Sequence, residues 1–540
     1  MKALPQRAAI RWILVMGIAF SPCSGQEAST STHSPNVAAE RSQGPDLLSF
    51  DELVALASTA RPESALDDRL NTLLNTPFVQ SDTAGDIQPH RPNANGLGPI
   101  LRVGLWNIER GLNFDEIRSA LSDPGAFLRM TRTDINSRQR ETVESQLATL
   151  QGIDVLVLNE ADRGMKRTEY RDITRELASA LHMNYAYGVE FVEVDPVFDL
   201  GTEQLHLADA QQDQRLRRDL QVDREQYRGL HGTAILSRYP IQSARIFRLP
   251  VCYDWYGEEY KAISKLEHGK RWSAHKLFRE RVERELRRGG RMALIADISV
   301  PELPTGKATI VATHLENKCA PACRQRQMQA LLADLKSDNN PLVLAGDLNT
   351  TSRDNTPTSI RNEIMTRVVD YKFWIGQAVS HFNPLGLFQY TLVPVRYFHG
   401  YNDPTGFHLP ILWDNREQPL FKKVEKFRFA DDRTFDFRGE PGRTFPPRGH
   451  TLADSNQRRL KGFAPTYTFA RNYGGLVGQF KLDWIFVKPF VNDPRRTEQR
   501  YQFAPHFPVT MRELNASVED RISDHPPMTV DLPLMEPHPR

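Results

Sequence analysis

Cysteine is scarce, with four in 540 residues, too few for a fold built on disulfides. Excess charge is scarce as well. Lys and Arg number 69 against 67 Asp and Glu, so the net charge is +2 and no overall field draws the chain to a polyanion. Any nucleic-acid or phosphate binding must therefore be local. No apolar run is long enough to span a bilayer. Neither GxGxxG nor a P-loop occurs, which excludes the common glycine-rich cradles for nucleotide phosphates. No repeat is present. What remains is a chain that is 40% hydrophobic, with 7 Trp, 15 Tyr and 27 Phe, ample for a large core.

The first residues read as an address. Lys2, Arg7 and Arg11 precede an apolar stretch, Trp12 to Phe20, and small residues follow up to Gly25. A basic start, a short apolar centre and a small-residue exit describe a secretory signal peptide at 1–25, so the expected location is secreted or periplasmic. Its removal leaves three cysteines. Cys319 and Cys323 are spaced to pair in an oxidising compartment, leaving Cys252 alone; two free thiols are the alternative. No second ligand pair lies at a spacing that supports zinc.

Residues 26–45 are polar and read as a disordered tether. Ser49 with Glu52 makes a capping box ahead of Leu53 and Leu56, and Leu66, Leu70, Leu73 and Leu74 mark a second amphipathic helix. Residues 26–99 are thus a tether and helical prefix, and 79–99 is loop-like. From 100 the pattern becomes short apolar strands: 101–106, 154–158, 233–237, 292–298, 308–313, 342–345, 483–487 and 528–532. Helical stretches at 136–150, 169–182 and 324–336 lie between them. This mixture predicts a layered α/β sandwich over 100–535. Two segments read as insertions. One, 251–290, runs into the basic amphipathic stretch Arg271–Arg291, the pattern of a solvated helix or of a face for a phosphate-rich substrate. The other, 353–470, is dense in Pro and aromatics and reads as long loops and short strands.

The chemistry sits where strands end. Asn107 and Glu109 follow the first strand, and Asn159-Glu160 follow the second. Thr313-His314-Leu315-Glu316 and Gly346-Asp347-Leu348-Asn349 follow two later ones. Asp483 opens another, and Ser523-Asp524-His525 precedes the last. Each alone is an ordinary turn residue. Stacked strand ends gather on one rim, however, and Asn, Glu, Asp and His are the types needed for a hard divalent cation, a phosphate clamp and a general base.

In this order the motifs resemble the endonuclease/exonuclease/phosphatase family, which includes deoxyribonuclease I and the neutral sphingomyelinases. Gly232–Arg238 resembles one of its strands, and Arg324 and Gln327 resemble the helix after its histidine. The resemblance spans about 100–534 between the insertions. It implies an α/β (α+β) fold, a four-layer sandwich of two mixed β-sheets flanked by helices, with the site on one edge. It implies a hydrolase of phosphate esters in which magnesium or manganese is held by Glu160, with Asn107, Glu109 and Asp524. Asp347 and Asn349 complete the surroundings, Asn349 also touching substrate. His525, oriented by Asp483, takes the proton from water. His314 either binds a phosphoryl oxygen or protonates the leaving group, and Glu190 orients it beside the substrate. Two positions depart from the pattern: Glu109 stands where several relatives carry Asp, and Thr233 where close relatives often carry Asn.

The expected reaction is in-line attack of water by a phosphodiesterase or nuclease. A phospholipid phosphodiesterase, taking a lipid head-group through the aromatics of 371–407, is the alternative, and a non-catalytic binding module a third reading. The partner is then a phosphate-ester substrate, nucleic acid or phospholipid, acted on by a monomer with no stable protein partner.

Overall fold

The computed structural model describes residues 37–38, 43–81, 87–93, 98–194, 222–261, 286–350, 408–409, 413–414, 417–436, 458–459, 462–463, 466–468, 479–491 and 501–535. The signal segment, the aromatics at 371–407 and most of Arg271–Arg291 lie outside them.

In chain order the strands that build the main sheets are β1 (Val37–Ala38), β2 (Phe78–Gln80), β3 (Ile100–Asn107) and β4 (Val155–Arg163). Then come β5 (Asn184–Glu193), β6 (Leu230–Ser237), β7 (Ile241–Arg248) and β8 (Arg287–Gly289). After them follow β9 (Met292–Ser299), β10 (Lys307–His314) and β11 (Leu342–Asp347). The last are β12 (Asp483–Lys488), β13 (His506–Thr510) and β14 (Met528–Pro533). Among the described residues they form a six-stranded sheet, β1-β7-β9-β10-β11-β12, and an eight-stranded one, β2-β5-β6-β4-β3-β14-β13 with β8 beside β5. Each sheet is mixed. β10 and β11 run parallel in the first and β3 and β4 in the second, while the other pairs are antiparallel.

The layers follow from the period-2 alternation of side chains. Val103, Leu105, Val155 and Val157 point from one sheet, and Leu294, Ile310, Val343 and Ile485 from the other, into a common core. The intervening residues point outward. Trp106, Leu156 and Leu158 meet the helices at Phe50–Ser58, Ser64–Asn75, Phe114–Ser122, Ser137–Gln151 and Ile173–Leu181. Leu342 and Leu344 meet the helices at Pro321–Asp334 and Gln418–Lys426. Helix, sheet, sheet and helix make the four-layer sandwich.

Local signals hold where short-range chemistry writes them. Ser49 and Glu52 form the capping box of the first helix. Differences appear where tertiary pairing decides. Val37–Ala38, inside the supposed tether, and Phe78–Gln80, running into the supposed loop at 79–99, add edge strands to the two sheets. Arg287–Gly289, taken as the end of a basic helix, pairs with β5 instead. Within the second insertion, Gln418–Lys426 is a helix whose Leu420, Phe421 and Val424 are buried in the core. The expected Cys319–Cys323 bond is replaced by Cys252–Cys323, with Cα atoms 5.9 Å apart, and Cys319 is buried outside that bond. Sequence spacing favoured the near pair, but the fold lays the segment after β7 against the helix at 321–334, and the Cys319 thiol turns to the Glu316 carbonyl (3.4 Å).

Candidate active site

Strand register brings the predicted residues together. Asn107 stands opposite Asn159, His314 opposite Asp347, and Asp347 opposite Asp483, so three strand junctions end at one level. The two sheets are stapled there by Asn159, which is fully buried. Its side chain accepts from the Asp347 backbone N–H (2.9 Å) and donates to the Thr313 carbonyl (3.2 Å) and the Thr233 hydroxyl (3.1 Å). The close approach of β10 and β11 explains Gly346, where a Cβ would lie 1.8 Å from the Thr313 carbonyl oxygen.

Several site residues are aimed by unusual backbone. The β4–β6 register slips between Leu158 and Ala161, and that of β5–β6 between Val189 and Phe191. Each bulge re-aims a carboxylate toward the rim, Glu160 in one and Glu190 in the other. Glu109, Glu160 and Asn349 all have positive φ (48°, 57° and 47°). Left-handed backbone outside glycine is costly, and it concentrates where side chains are held for function.

One half of the site is acidic. The Asn107 amide donates to Glu160 Oε1 (3.2 Å) and Asp347 Oδ2 (3.1 Å), bridging two carboxylates. Glu109 Oε2 accepts from the Asp524 N–H (2.9 Å), and Asp347 Oδ1 from the Asn349 N–H (2.8 Å). Burial first, then Asp524, pushes Glu109 up to about 7; burial and then Asp483 push Asp347 up to about 7. Asp524 is also raised, mainly by burial. Burial raises Glu160 too, yet His231, Arg110 and His525 outweigh it and hold that carboxyl below its ordinary value. His525 Nδ1 lies 2.7 Å from Asp483 Oδ2, and its Nε2 lies 3.8 Å from Asp347 Oδ2. Burial opposes its proton, but Asp483 and Asp524 raise its pKa well above the usual value.

The other half is basic. His314 Nε2 lies 3.6 Å from the same Asp347 Oδ2. Its Nδ1 faces Arg291 Nη1 at 2.7 Å, and burial together with Arg291 drives its pKa well below the usual value.

These carboxylates fit a hard cation. The donors are oxygen, burial with neighbouring carboxylates holds Glu109, Asp347 and Asp524 above their ordinary values, and Asp483 Oδ1 is buried with no hydrogen-bond partner among the described residues. Asp347, Asp483 and His525 present atoms within 4.8 Å of one another, but the bond between His525 and Asp483 already occupies Nδ1.

The pattern of the Endonuclease/Exonuclease/phosphatase family matches residues 104–525 of the chain, most of its length. The chain belongs to this family. It is a phosphoric ester hydrolase. Its fold is similar to that of an endonuclease/exonuclease/phosphatase from Beutenbergia cavernae, at 16% identity over 82% of this chain and 72% of that one (TM-score 0.31). It is similar to the human Nocturnin catalytic domain, at 12% identity over 82% and 99% (TM-score 0.33). It is also similar to a 3'-5' exonuclease from Neisseria meningitidis, at 12% over 80% and 99% (TM-score 0.36). No curated protein matches the sequence.

Within this family member, two expected residues sit differently from the reading of the motifs. Glu190 is fully buried, but its Oε2 is 3.6 Å from His314 Nδ1, too far for a direct bond, because Arg291 stands between them. Asn349 donates its amide to the Leu315 carbonyl (3.0 Å), which holds the loop. Glu316 is absorbed into the scaffold by Trp255 Nε1 (3.1 Å) and the Lys318 N–H (3.1 Å).

Two site neighbours went unread in the sequence. Arg291 was hidden as the last residue of an apparent helix. His231 pairs with Asp162 on the adjacent strand (Nδ1 to Oδ1 2.8 Å), and Arg167 clamps Asp162 and Glu193 behind it. The visible signal for His231 was its place two residues before Thr233, on the same face of the strand.

Proposed function

We propose that this enzyme is a divalent-cation-dependent phosphodiesterase of nuclease type that activates water for in-line attack. The observation that carries the reading is the convergence of two histidines on one carboxylate oxygen, His525 Nε2 at 3.8 Å and His314 Nε2 at 3.6 Å from Asp347 Oδ2, beside a buried carboxylate rim. Asn107, Glu109, Glu160 and Asp524 would hold magnesium or manganese. A cation there supplies positive charge against the phosphoryl oxygens and lowers the pKa of bound water.

The protein's own groups do the rest. Asp483 holds Nδ1 of His525, so Nε2 faces the rim. Neutralising the carboxylates around it weakens their hold on its proton and leaves Nε2 to accept one from water. His314, on the opposite sheet, reaches the phosphate from the other side. No serine or cysteine is placed as a nucleophile in this reading.

Nucleic acid is the first substrate class to test, given the family's endonuclease and exonuclease members. The experiment is a panel of plasmid DNA, RNA, sphingomyelin vesicles and bis(p-nitrophenyl) phosphate, with magnesium, manganese or chelator. Cleavage of DNA or RNA that chelator stops is the expected result. Selective cleavage of sphingomyelin would replace nucleic acid with a lipid head-group, and full activity in excess chelator would sink the cation. We also propose export, which the basic and apolar start of the chain and the Cys252–Cys323 disulfide support. The mature chain should then begin near residue 26, as intact mass of exported protein would test.

A further inference from the structure

Arg291 is placed where the histidine's orienting carboxylate was expected. Its Nη1 lies 2.7 Å from Glu190 Oε2 and 2.7 Å from His314 Nδ1. The group is locked there. Arg291, Glu190 and His314 are all buried, and Glu190 Oε1 accepts a hydrogen bond from the Thr233 hydroxyl. The guanidinium lies over the Phe191 ring, 5.2 Å from its centroid, and Arg291 Nε is 3.8 Å from Glu316 Oε2. The β5 bulge that turns Glu190 inward is held by the Gly290 N–H, which donates to the Glu190 carbonyl (2.9 Å) one residue before Arg291.

A guanidinium nitrogen donates and has no lone pair to offer. The two hydrogens of Nη1 therefore go one to the Glu190 carboxylate and one to His314. His314 Nδ1 must present its lone pair, and its ring hydrogen sits on Nε2, the atom that faces Asp347 Oδ2 at 3.6 Å. A direct carboxylate partner would impose the reverse, with a hydrogen on Nδ1. Exchanging a carboxylate for an arginine at this position changes what the ring can do.

We propose that Arg291 is a positioning residue that fixes His314 as the Nε2–H tautomer, so that His314 donates a hydrogen bond to the phosphoryl oxygen and does not protonate the leaving group. The proposal rests on the hydrolase reading above. A proton delivered from Nε2 would have to come from a ring bearing hydrogen on both nitrogens, and a hydrogen on Nδ1 would point at one of Arg291. The leaving group then departs with a proton from solvent, and the contribution of His314 is electrostatic.

The test joins spectroscopy to kinetics. In 15N-histidine-labelled full-length protein, with His314→Gln as the assignment control, His314 should show a bare Nδ1 and a protonated Nε2. Arg291→Gln should release that preference. With magnesium it should lower kcat roughly 10–100-fold, the scale for residues that orient a site's ligands, with little change in KM. The loss should be similar on bis(p-nitrophenyl) phosphate and on an unactivated dithymidine phosphate. Arg291→Lys, which keeps a charged donor, should recover part of it and guards against misfolding of the glutamine variant. A wild-type His314 protonated on Nδ1 would overturn the proposal, as would an Arg291→Gln deficit that vanishes on the activated ester. If wild type hydrolyses neither ester with any divalent cation, the hydrolase reading falls, while the tautomer measurement still decides the role of Arg291.

Discussion

His525 and His314 approach one oxygen of Asp347 from opposite sheets, and the fold treats them in opposite ways. His525 is surrounded by Asp483, Asp524 and Asp347, which favour its charged form; His314 is backed by Arg291, which opposes it. Both rings are buried, so burial alone cannot separate them. The difference lies in the neighbour at Nδ1, a carboxylate for one and a guanidinium for the other. Two residues of one type thus acquire two chemistries from second partners. The acidic half is suited to take a proton and the basic half to donate a hydrogen bond.

The comparison breaks most completely if the acidic half needs no cation. Chelator should abolish turnover, magnesium or manganese should restore it, and Glu160→Gln should cost on the order of 10³-fold or more, the equivalent of several kcal/mol of lost charge stabilisation. Glu160→Gln with ordinary activity and an unchanged metal requirement would remove Glu160 from the centre of the rim.

The next largest effect separates the halves. Asp483→Asn and His525→Gln should each lower kcat by roughly 10²–10⁴, the range for losing a positioned base, and together they should cost little more than either alone. Multiplicative losses in the double variant would mean that Asp483 acts on something besides His525.

How much of this was legible depended on the range over which each residue is specified. The rim residues were readable because each lies at or beside a strand end, and strand ends in a sandwich converge: Asn107, Glu160, His314, Asp347, Asp483 and His525 come together at one rim. Their roles as ligand, base or donor await the variants above. The capping box of Ser49 and Glu52 was readable because it closes within four residues. Arg291 was not, because periodicity carried a helix through 287–291, whereas pairing with β5 made 287–289 a strand and left 290–291 as the link to β9. The disulfide was misread for the same reason. Cys252 is 71 residues from Cys323, and only the packing of the helix at 321–334 beside the segment after β7 makes them neighbours. The bulges that aim Glu160 and Glu190 are register slips, which no local pattern records.

That disulfide also distinguishes the halves, since it ties the His314 side alone. The helix it anchors carries Gln327, which accepts from the Glu316 N–H (2.9 Å) and donates to the Pro250 carbonyl (3.0 Å), two residues from His314 and from Cys252 respectively. Replacing both Cys252 and Cys323 by Ser should cost about 2–4 kcal/mol of stability, the usual range for a native bond closing a long loop. In denaturant titrations the loss should appear as a lower midpoint, with kcat changing less than tenfold. A variant as stable as wild type would show that the helix is held by its core contacts alone.

The smallest effect is the dependence of stability on pH, and it tests the comparison without any substrate. In chelator, Glu109 and Asp347 keep their protons up to about 7, whereas the unfolded chain gives them up near ordinary carboxylate values. Between those values the folded state binds more protons, so stability must fall as pH rises from about 4 toward 7. His525 acts in the same direction. Its folded pKa lies above 6.5, so its contribution is complete below 6.5 and is lost as pH rises through the folded value. His314 has the opposite sign. The folded ring stays neutral where the unfolded one takes a proton, so its contribution is lost as pH falls below 6.5. Each unit of displacement corresponds to about 1.4 kcal/mol, so thermal scans from pH 4 to 9 resolve the slopes. Asp483→Asn should flatten the fall on both sides, through Asp347 between about 4 and 7 and through His525 above 6.5, while His314→Gln should remove only the loss below 6.5. Magnesium should flatten the fall between about 4 and 7 in wild type, because carboxylates that neutralise a cation no longer benefit from holding protons. If Asp483→Asn and His314→Gln changed the slope in the same sense, the two histidines would share one environment, and the division of the site into an acidic and a basic half would be wrong.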